Sequence, residues 1–132
     1  MAEHGARCDD GWILGSDWTA EAAARDSLVL LSGDDRPTAI VAASDEMAIG
    51  VRESARRLGL RVPEDLSVMG VDDYVLSEVL GLTTVRQDVG AQGQRAAEIL
   101  LATLLEGAET TELEVVVPTQ LVVRDSTGPA PA

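Results

Sequence analysis

Three apolar runs that each end in polar or acidic residues constrain the fold of this chain more than any other feature. In chain order they are Thr38–Ala43 before Ser44-Asp45, Leu66–Val71 before Asp72-Asp73, and Thr83–Val85 before Gln87-Asp88. Apolar runs of this kind are typical of buried strands in a parallel sheet. In open α/β sheets, ligands bind at the edge formed by the carboxyl ends of such strands. The pattern therefore predicts a small-molecule site built from these polar residues.

The segments between the runs have apolar residues at helical spacing. We predict helices over Ala20–Leu31, from Ser44 as N-cap to Leu58, over Val75–Leu80, and over Gly90–Leu105, which Gly107 ends. Further strands are expected at Trp12–Gly15, Val115–Val117 and Gln120–Val123. Strands that alternate with helices in this way predict an α/β fold with a parallel, doubly wound sheet.

Length, composition and charge exclude several classes of protein. The chain has 132 residues, enough for one ordinary domain, and its 45% hydrophobic content argues against global disorder. A net charge of -13 opposes contact with phosphate backbones, so we expect no direct nucleic-acid binding by this chain. Cys8 is the single cysteine, which excludes an internal disulfide and suits a reducing cytoplasm. The first residues do not resemble a signal peptide, and no apolar stretch approaches the roughly 20 residues that span a bilayer.

Asp72-Asp73 is the sharpest candidate for a site. A carboxylate at a strand end can accept two hydrogen bonds from neighbouring hydroxyls of a sugar or nucleoside. Aspartate is also common in turns, and the residues alone leave the two interpretations open. A metal site is disfavoured, because the only histidine, His4, lies near the N-terminus and two carboxylates do not complete a coordination shell. No metal or other cofactor is therefore expected.

Three other residues have both a structural and a binding interpretation. Ser44 suits a helix N-cap better than a ligand contact, although a helix N-terminus also offers free backbone N–H groups. Trp18 can stack on a ligand, but tryptophan more often packs against protein. Gln87-Asp88 can line a site, with capping of the next helix the favoured role.

The motifs of common catalytic sites are missing from the sequence. It has no Gly-x-Ser-x-Gly elbow, no phosphate-binding glycine loop, no Cys/His cluster and no histidine placed as a general base. No catalytic residue is predicted, and an enzyme is the least favoured class of protein.

Five segments occur in the order, and at nearly the spacing, of a known protein family. They are Gly15–Glu21, Pro37–Gly50, Gly59–Asp73, Leu82–Gln87 and Pro118–Thr127. None is specific alone, but together they resemble the C-terminal half of the effector-binding core of lactose-repressor-type (LacI/GalR) transcription regulators. The resemblance extends from about Trp12 to Thr127. It implies a periplasmic-binding-protein-like type I fold with two α/β lobes around a cleft, a small-molecule effector, commonly a sugar, and a helix-turn-helix domain at the N-terminus.

The resemblance also implies site residues. Asp72 matches the aspartate that contacts sugar hydroxyls or a base, and Trp18 matches an aromatic position at the mouth of the effector pocket. Ser44 stands where the family often has asparagine. With Gln87, these residues form the predicted ligand-binding set.

The same resemblance implies the organisation of the chain. We expect a lead-in over residues 1–11 and a partial effector-binding domain over 12–125, and the proline-containing composition of 126–132 predicts a flexible tail. The helix-turn-helix head and the opening strands of the first lobe have no counterpart, so the chain resembles a fragment made mostly of the second lobe. The helix Gly90–Leu105 would pack on first-lobe strands that this sequence lacks, and we therefore expect self-association or a homodimer.

The predicted function is that of a fragment of a cytoplasmic, ligand-responsive bacterial transcriptional regulator that binds a small effector, a sugar, between two lobes. One alternative is a fragment of a solute-binding protein of a sugar transporter, which the lack of a signal peptide disfavours. Another is an interaction domain without a ligand.

Overall fold

A computed structural model describes residues 5, 7–105 and 115–131 of the chain. After a 3-10 turn at Asp10–Trp12, the elements follow as α1 (Ala20–Leu31), β1 (Ala39–Val41), α2 (Asp45–Arg57), β2 (Ser67–Asp72), α3 (Val75–Val79), β3 (Thr83–Arg86), α4 (Val89–Leu105) and β4 (Gln120–Val122). Gly107, the predicted end of the last helix, lies outside the described residues.

The sheet has four strands in the order β1-β2-β3-β4. β1 pairs with β2 and β2 with β3 in parallel, whereas β4 pairs with β3 in the antiparallel direction. The predicted α/β fold is confirmed, and the sheet is mixed rather than wholly parallel. An antiparallel strand at the edge of an otherwise parallel sheet is common among such folds.

Local capping explains where the two long helices at the start of the domain begin and end. The side chain of Thr19 accepts a hydrogen bond from Ala22 N at 3.2 Å, and that of Ser44 accepts one from Met47 N at 3.2 Å. Leu58 is the C-cap of α2, and Gly59 follows with a φ of 72°, which glycine adopts without strain.

The core forms where α2 packs on the sheet and α1 packs on α2. It consists of aliphatic residues, as the sequence predicts: Leu31, Ala42, Ala48, Val51, Ala55, Leu66, Val68 and Leu82. α1 and α2 run in the same direction, since Gly50 faces Ala20 and Ser54 Oγ donates to Ala24 O at 2.5 Å. Both helices therefore begin at the same end of the domain.

The predicted strand at Trp12–Gly15 is wrong. Trp12 ends a 3-10 turn in which the Asp9 side chain accepts a hydrogen bond from Gly11 N at 2.9 Å. The indole Nε1 donates to Asp35 O at 3.2 Å, and the Arg7 guanidinium lies 4.7 Å from the ring centroid. The segment is held by these side-chain contacts and pairs with no strand of the described sheet.

The predicted strand at Val115–Val117 is also wrong. These residues have no regular secondary structure, and the antiparallel ladder with β3 includes only Gln120–Val122. Pro118 between the two segments carries no N–H donor, so a ladder cannot continue through it.

The beginning of the predicted flexible tail is fixed to the sheet. Ser126 is buried, its Oγ donates to Val68 O at 2.6 Å, and it accepts from Thr83 N at 2.8 Å. Gly128 N donates to Ser67 Oγ at 3.1 Å. The proposed domain bounds stay a prediction, but residues 126–128 belong to the packed structure because their hydrogen bonds join β2 and β3.

α4 has no buried residue. Leu100, Leu101, Leu104 and Leu105 are all more than half exposed. The sequence indicates an apolar stripe of Ala97, Leu100, Leu101 and Leu104 on this helix, and all four residues are exposed within the described part of the chain.

Candidate functional site

Three of the four predicted ligand-binding residues lie at the carboxyl ends of adjacent parallel strands. Ser44 follows β1, Asp72 ends β2 and Gln87 follows β3. Trp18 precedes α1, which begins beside the first turn of α2, where Ala20 N donates to Glu46 Oε1 at 3.4 Å. The fold thus brings polar side chains from three strands to one edge, as the sequence predicts for parallel strands.

Asp72 and Gln87 are in direct contact. Gln87 Nε2 donates to Asp72 Oδ1 at 2.9 Å, and Asp72 is exposed at the sheet edge. The carboxylate thus contacts a side chain on the β3 side rather than Ser44 on the β1 side. Asp72 has a backbone φ of 123°, a value that residues other than glycine rarely adopt. Such backbone strain is concentrated at functional sites.

Ser44 caps a helix and Trp18 is exposed to solvent, and neither has a described contact with the Asp72 side chain. The Ser44 hydroxyl oxygen caps α2 through Met47 N, and its O–H can still donate to a ligand. The Trp18 side chain is 70% exposed, so its ring faces solvent rather than the core. An exposed ring at this position has the surface that stacking on a sugar or a base requires.

Asp73 forms an ion-pair cluster with two arginines at this edge. Its carboxylate accepts from Arg86 Nε at 2.6 Å and from Arg124 at 2.7 Å, and its side chain is only 11% exposed. Burial acts to raise the pKa of Asp73, but the hydrogen bonds from Arg124 and Arg86 outweigh it and hold the pKa below its usual value. Asp73 therefore stays ionised at neutral pH.

Asp45 lies beneath the site as a fully buried carboxylate. It accepts hydrogen bonds from Tyr74 N at 2.8 Å, Ser77 Oγ at 2.6 Å and Thr84 Oγ1 at 2.6 Å. These partners lie in the loop after β2, in α3 and in β3. Asp45 thus fixes the loop after Asp72-Asp73 to the start of α2.

From the sequence, Asp45 is only one of the polar residues that follow the first apolar run, and Arg86 and Arg124 have no predicted role. Gly70 is a residue whose role becomes clear only in the fold, because a Cβ there would fall on the Asp45 carboxylate. No local pattern indicates these contacts, since the partners of Asp45 lie 29 to 39 residues away.

Within residues 5, 7–105 and 115–131, no group of three or more His, Cys, Asp or Glu residues has the arrangement of a metal site. None of the helices described there is long and apolar enough to cross a bilayer.

Comparison with known proteins gives the site its context. Residues 1–127 match the periplasmic binding protein-like domain. The HTH-type transcriptional repressor PurR of Vibrio vulnificus is 35% identical over 128 residues, which are 96% of this chain and 38% of that protein. The chain belongs to the lactose-repressor-type (LacI/GalR) family. The resemblance seen in the five sequence segments is thereby confirmed.

Two solved structures of the family superpose on this chain. A LacI family regulator from Arthrobacter sp. FB24 in complex with lactose has a TM-score of 0.76 and 32% identity, covering 86% of this chain and 43% of that one. The dimeric Lac repressor with an 11-residue C-terminal deletion has a TM-score of 0.78 and 34% identity, covering 89% and 43%. The chain thus spans less than half the length of these LacI-type relatives.

Proposed function

We propose that this chain is part of the effector-binding domain of a cytoplasmic bacterial transcriptional regulator, and that it binds a sugar at the carboxyl edge of its sheet. One observation carries the proposal: the exposed Asp72 carboxylate ends a central strand with a neutral amide, Gln87, as its side-chain partner. A carboxylate in this setting has free lone pairs for ligand hydroxyls.

The remaining predicted residues suit the same ligand. Trp18 supplies an exposed ring for the apolar face of a sugar, Ser44 a hydroxyl, and Gln87 an amide whose oxygen is free to accept. The lactose complex of the Arthrobacter regulator supports a sugar as the class of effector. A site made of carboxylate, amide, hydroxyl and indole matches a polyhydroxyl ligand better than an apolar one.

The regulatory mechanism that we propose is ligand-biased closure. A ligand shifts a two-state equilibrium only by its differential affinity for the two states. Contacts from this edge and from an opposing lobe exist together only in the closed state, so the effector favours closure and thereby alters the spacing of DNA-binding heads. DNA would be contacted through such heads and not through this acidic chain, whose net charge is -13.

Substitution of Asp72 tests the proposed site. We expect Asp72→Ala to weaken binding of the sugar that the wild-type protein prefers by about 1.5–3 kcal/mol, or roughly 10- to 150-fold, which is the range for a hydrogen bond to a charged group. The measurement is isothermal titration with a panel of neutral sugars that includes lactose and ribose. Asp34→Ala is the matched control, because it removes an exposed carboxylate in the turn after α1. Equal affinity in Asp72→Ala and wild type would contradict the proposal.

A second consequence of the proposal concerns assembly. α4 exposes four leucines, and soluble monomers rarely tolerate a contiguous apolar patch. We expect the chain to self-associate, with light scattering giving at least twice the mass of one chain at high concentration and a decrease on dilution. A single-chain mass throughout a concentration series would contradict this expectation. The dimeric state of the Lac repressor relative supports it.

A further inference from the structure

The consecutive carboxylates of Asp72 and Asp73 have partners of different charge: a neutral amide for Asp72 and two guanidinium groups for Asp73. In the register of the sheet, Asp72 lies beside Arg86, so the Cα atoms of an aspartate and an arginine are direct neighbours on adjacent strands. The Arg86 guanidinium nevertheless contacts Asp73 at 2.6 Å, while the neutral Gln87 contacts Asp72 at 2.9 Å. The guanidinium nearest to Asp72 in the sheet register is therefore paired with Asp73 instead.

The backbone conformation at the end of β2 allows Arg86 to pair with Asp73 rather than with Asp72. Asp72 and Asp73 have φ values of 123° and 59°, so the chain leaves the strand conformation at these two residues. Asp73 turns inward, where its side chain is 11% exposed, and contacts Arg86 and Arg124 together. Arg124 is held further by donation to Leu82 O at 2.8 Å and is itself largely buried.

Two further carboxylates lie near this edge. Asp88, after β3, accepts from Ala91 N at 2.8 Å as the cap of α4, and Glu46 lies in the first turn of α2. The Arg86 side chain is about half exposed, but its Nε is paired with Asp73 at 2.6 Å. Arg95, which lines a cavity together with Gln87, pairs with Glu98 at 3.5 Å. A phosphate placed here would meet the like charge of Asp72, and the guanidinium groups near it are already paired with carboxylates.

We propose that Asp73 is a specificity-determining residue, which withholds Arg86 and Arg124 from the ligand so that Asp72 stays an open acceptor and the site takes neutral sugars in preference to phosphorylated ones. This inference rests on the proposed sugar-binding function. Asp73 acts through its neighbours and is a positioning residue, since the ligand itself contacts Asp72.

Removal of the Asp73 charge should reverse the preference. A freed Arg86 has its register partner Asp72 as the nearest carboxylate, and pairing with Asp72 would compete with sugar hydroxyls. A guanidinium at the edge would also bind phosphate oxygens, for which its planar, two-pronged geometry is suited. Asparagine is the substitution of choice, because Asn tolerates the left-handed φ of this position.

The test compares wild type, Asp73→Asn and the double variant Asp73→Asn/Arg86→Gln. Isothermal titration is carried out with ribose and ribose 5-phosphate, and 31P line broadening is measured with inorganic phosphate. In Asp73→Asn we expect affinity for the neutral sugar to fall about tenfold, and affinity for ribose 5-phosphate and phosphate to rise about tenfold or more. The double variant should lose the gained phosphate affinity, because it lacks the Arg86 guanidinium and Arg124 stays largely buried on Leu82 O. Asp73→Gly, which also suits the φ of 59°, serves as a second variant if Asp73→Asn does not fold.

The outcomes separate this inference from the proposed function. Gain of phosphate binding in Asp73→Asn shows that Asp73 withholds a guanidinium from the site, whether or not a sugar binds the wild type. Failure of every sugar to bind the wild type would contradict the proposed sugar site. A parallel loss of all ligands, or phosphate binding unchanged from wild type in a folded variant, would show that Asp73 has a purely structural role and would overturn the inference.

Discussion

Replacing Asp45 with alanine is expected to lower the free energy of unfolding by about 3–5 kcal/mol. The carboxylate is fully buried and accepts hydrogen bonds from Tyr74 N, Ser77 Oγ and Thr84 Oγ1. Its removal leaves two buried hydroxyls and one part-buried N–H without their acceptor, and each such donor carries a desolvation penalty. Urea denaturation followed by circular dichroism measures the change.

Two further variants isolate the effect of Asp45. Asp88→Ala removes a carboxylate at the start of another helix, where it is exposed and accepts one hydrogen bond from Ala91 N, and should cost only about 1 kcal/mol. In a double-mutant cycle, Thr84→Val should cost much less in the Asp45→Ala background than in wild type, because the two side chains share one hydrogen bond. Strict additivity would argue against the network.

Replacing Gly50 with alanine is expected to destabilise the chain by about 2–3 kcal/mol, at the upper end of the usual cost of overpacking. A Cβ at this position would fall on the carbonyl oxygen of Ala20 and within 3.0 Å of the Ala24 nitrogen, so α1 would have to move away from α2. Thermal and urea unfolding measure the loss.

Gly93→Ala in α4 is the matched control for Gly50→Ala. A Cβ on Gly93 meets nothing within 4 Å, so only helix propensity acts and we expect stabilisation of up to about 1 kcal/mol. The same chemical change should therefore have opposite signs in the two helices. Stabilisation by both substitutions would show that α1 and α2 do not pack as closely as described.

Elements whose stabilising contacts are local could be predicted from the sequence alone. Thr19 and Ser44 cap their helices through amides three residues away, and Gly59 follows the C-cap of α2. The parallel core strands were equally predictable, because burial on both faces requires continuous apolar runs. The predicted strand at Trp12–Gly15 was wrong because its apolar residues have no partner strand among the described elements. Side-chain contacts determine the conformation of this segment instead.

The candidate site likewise has features that the sequence predicts and features that depend on long-range contacts. The order of residues is enough to predict that polar residues follow each parallel strand, and hence that Ser44, Asp72 and Gln87 lie at one edge; their role in ligand binding stays a prediction. Which carboxylate is open and which is neutralised depends on contacts between distant segments of the chain. Asp72 and Asp73 are indistinguishable as neighbours in sequence, and they differ because Arg86 and Arg124, 13 and 51 residues further along the chain, both converge on Asp73. Such long-range pairing depends on sheet register and on the φ values at the end of β2, and neither is encoded in a local pattern.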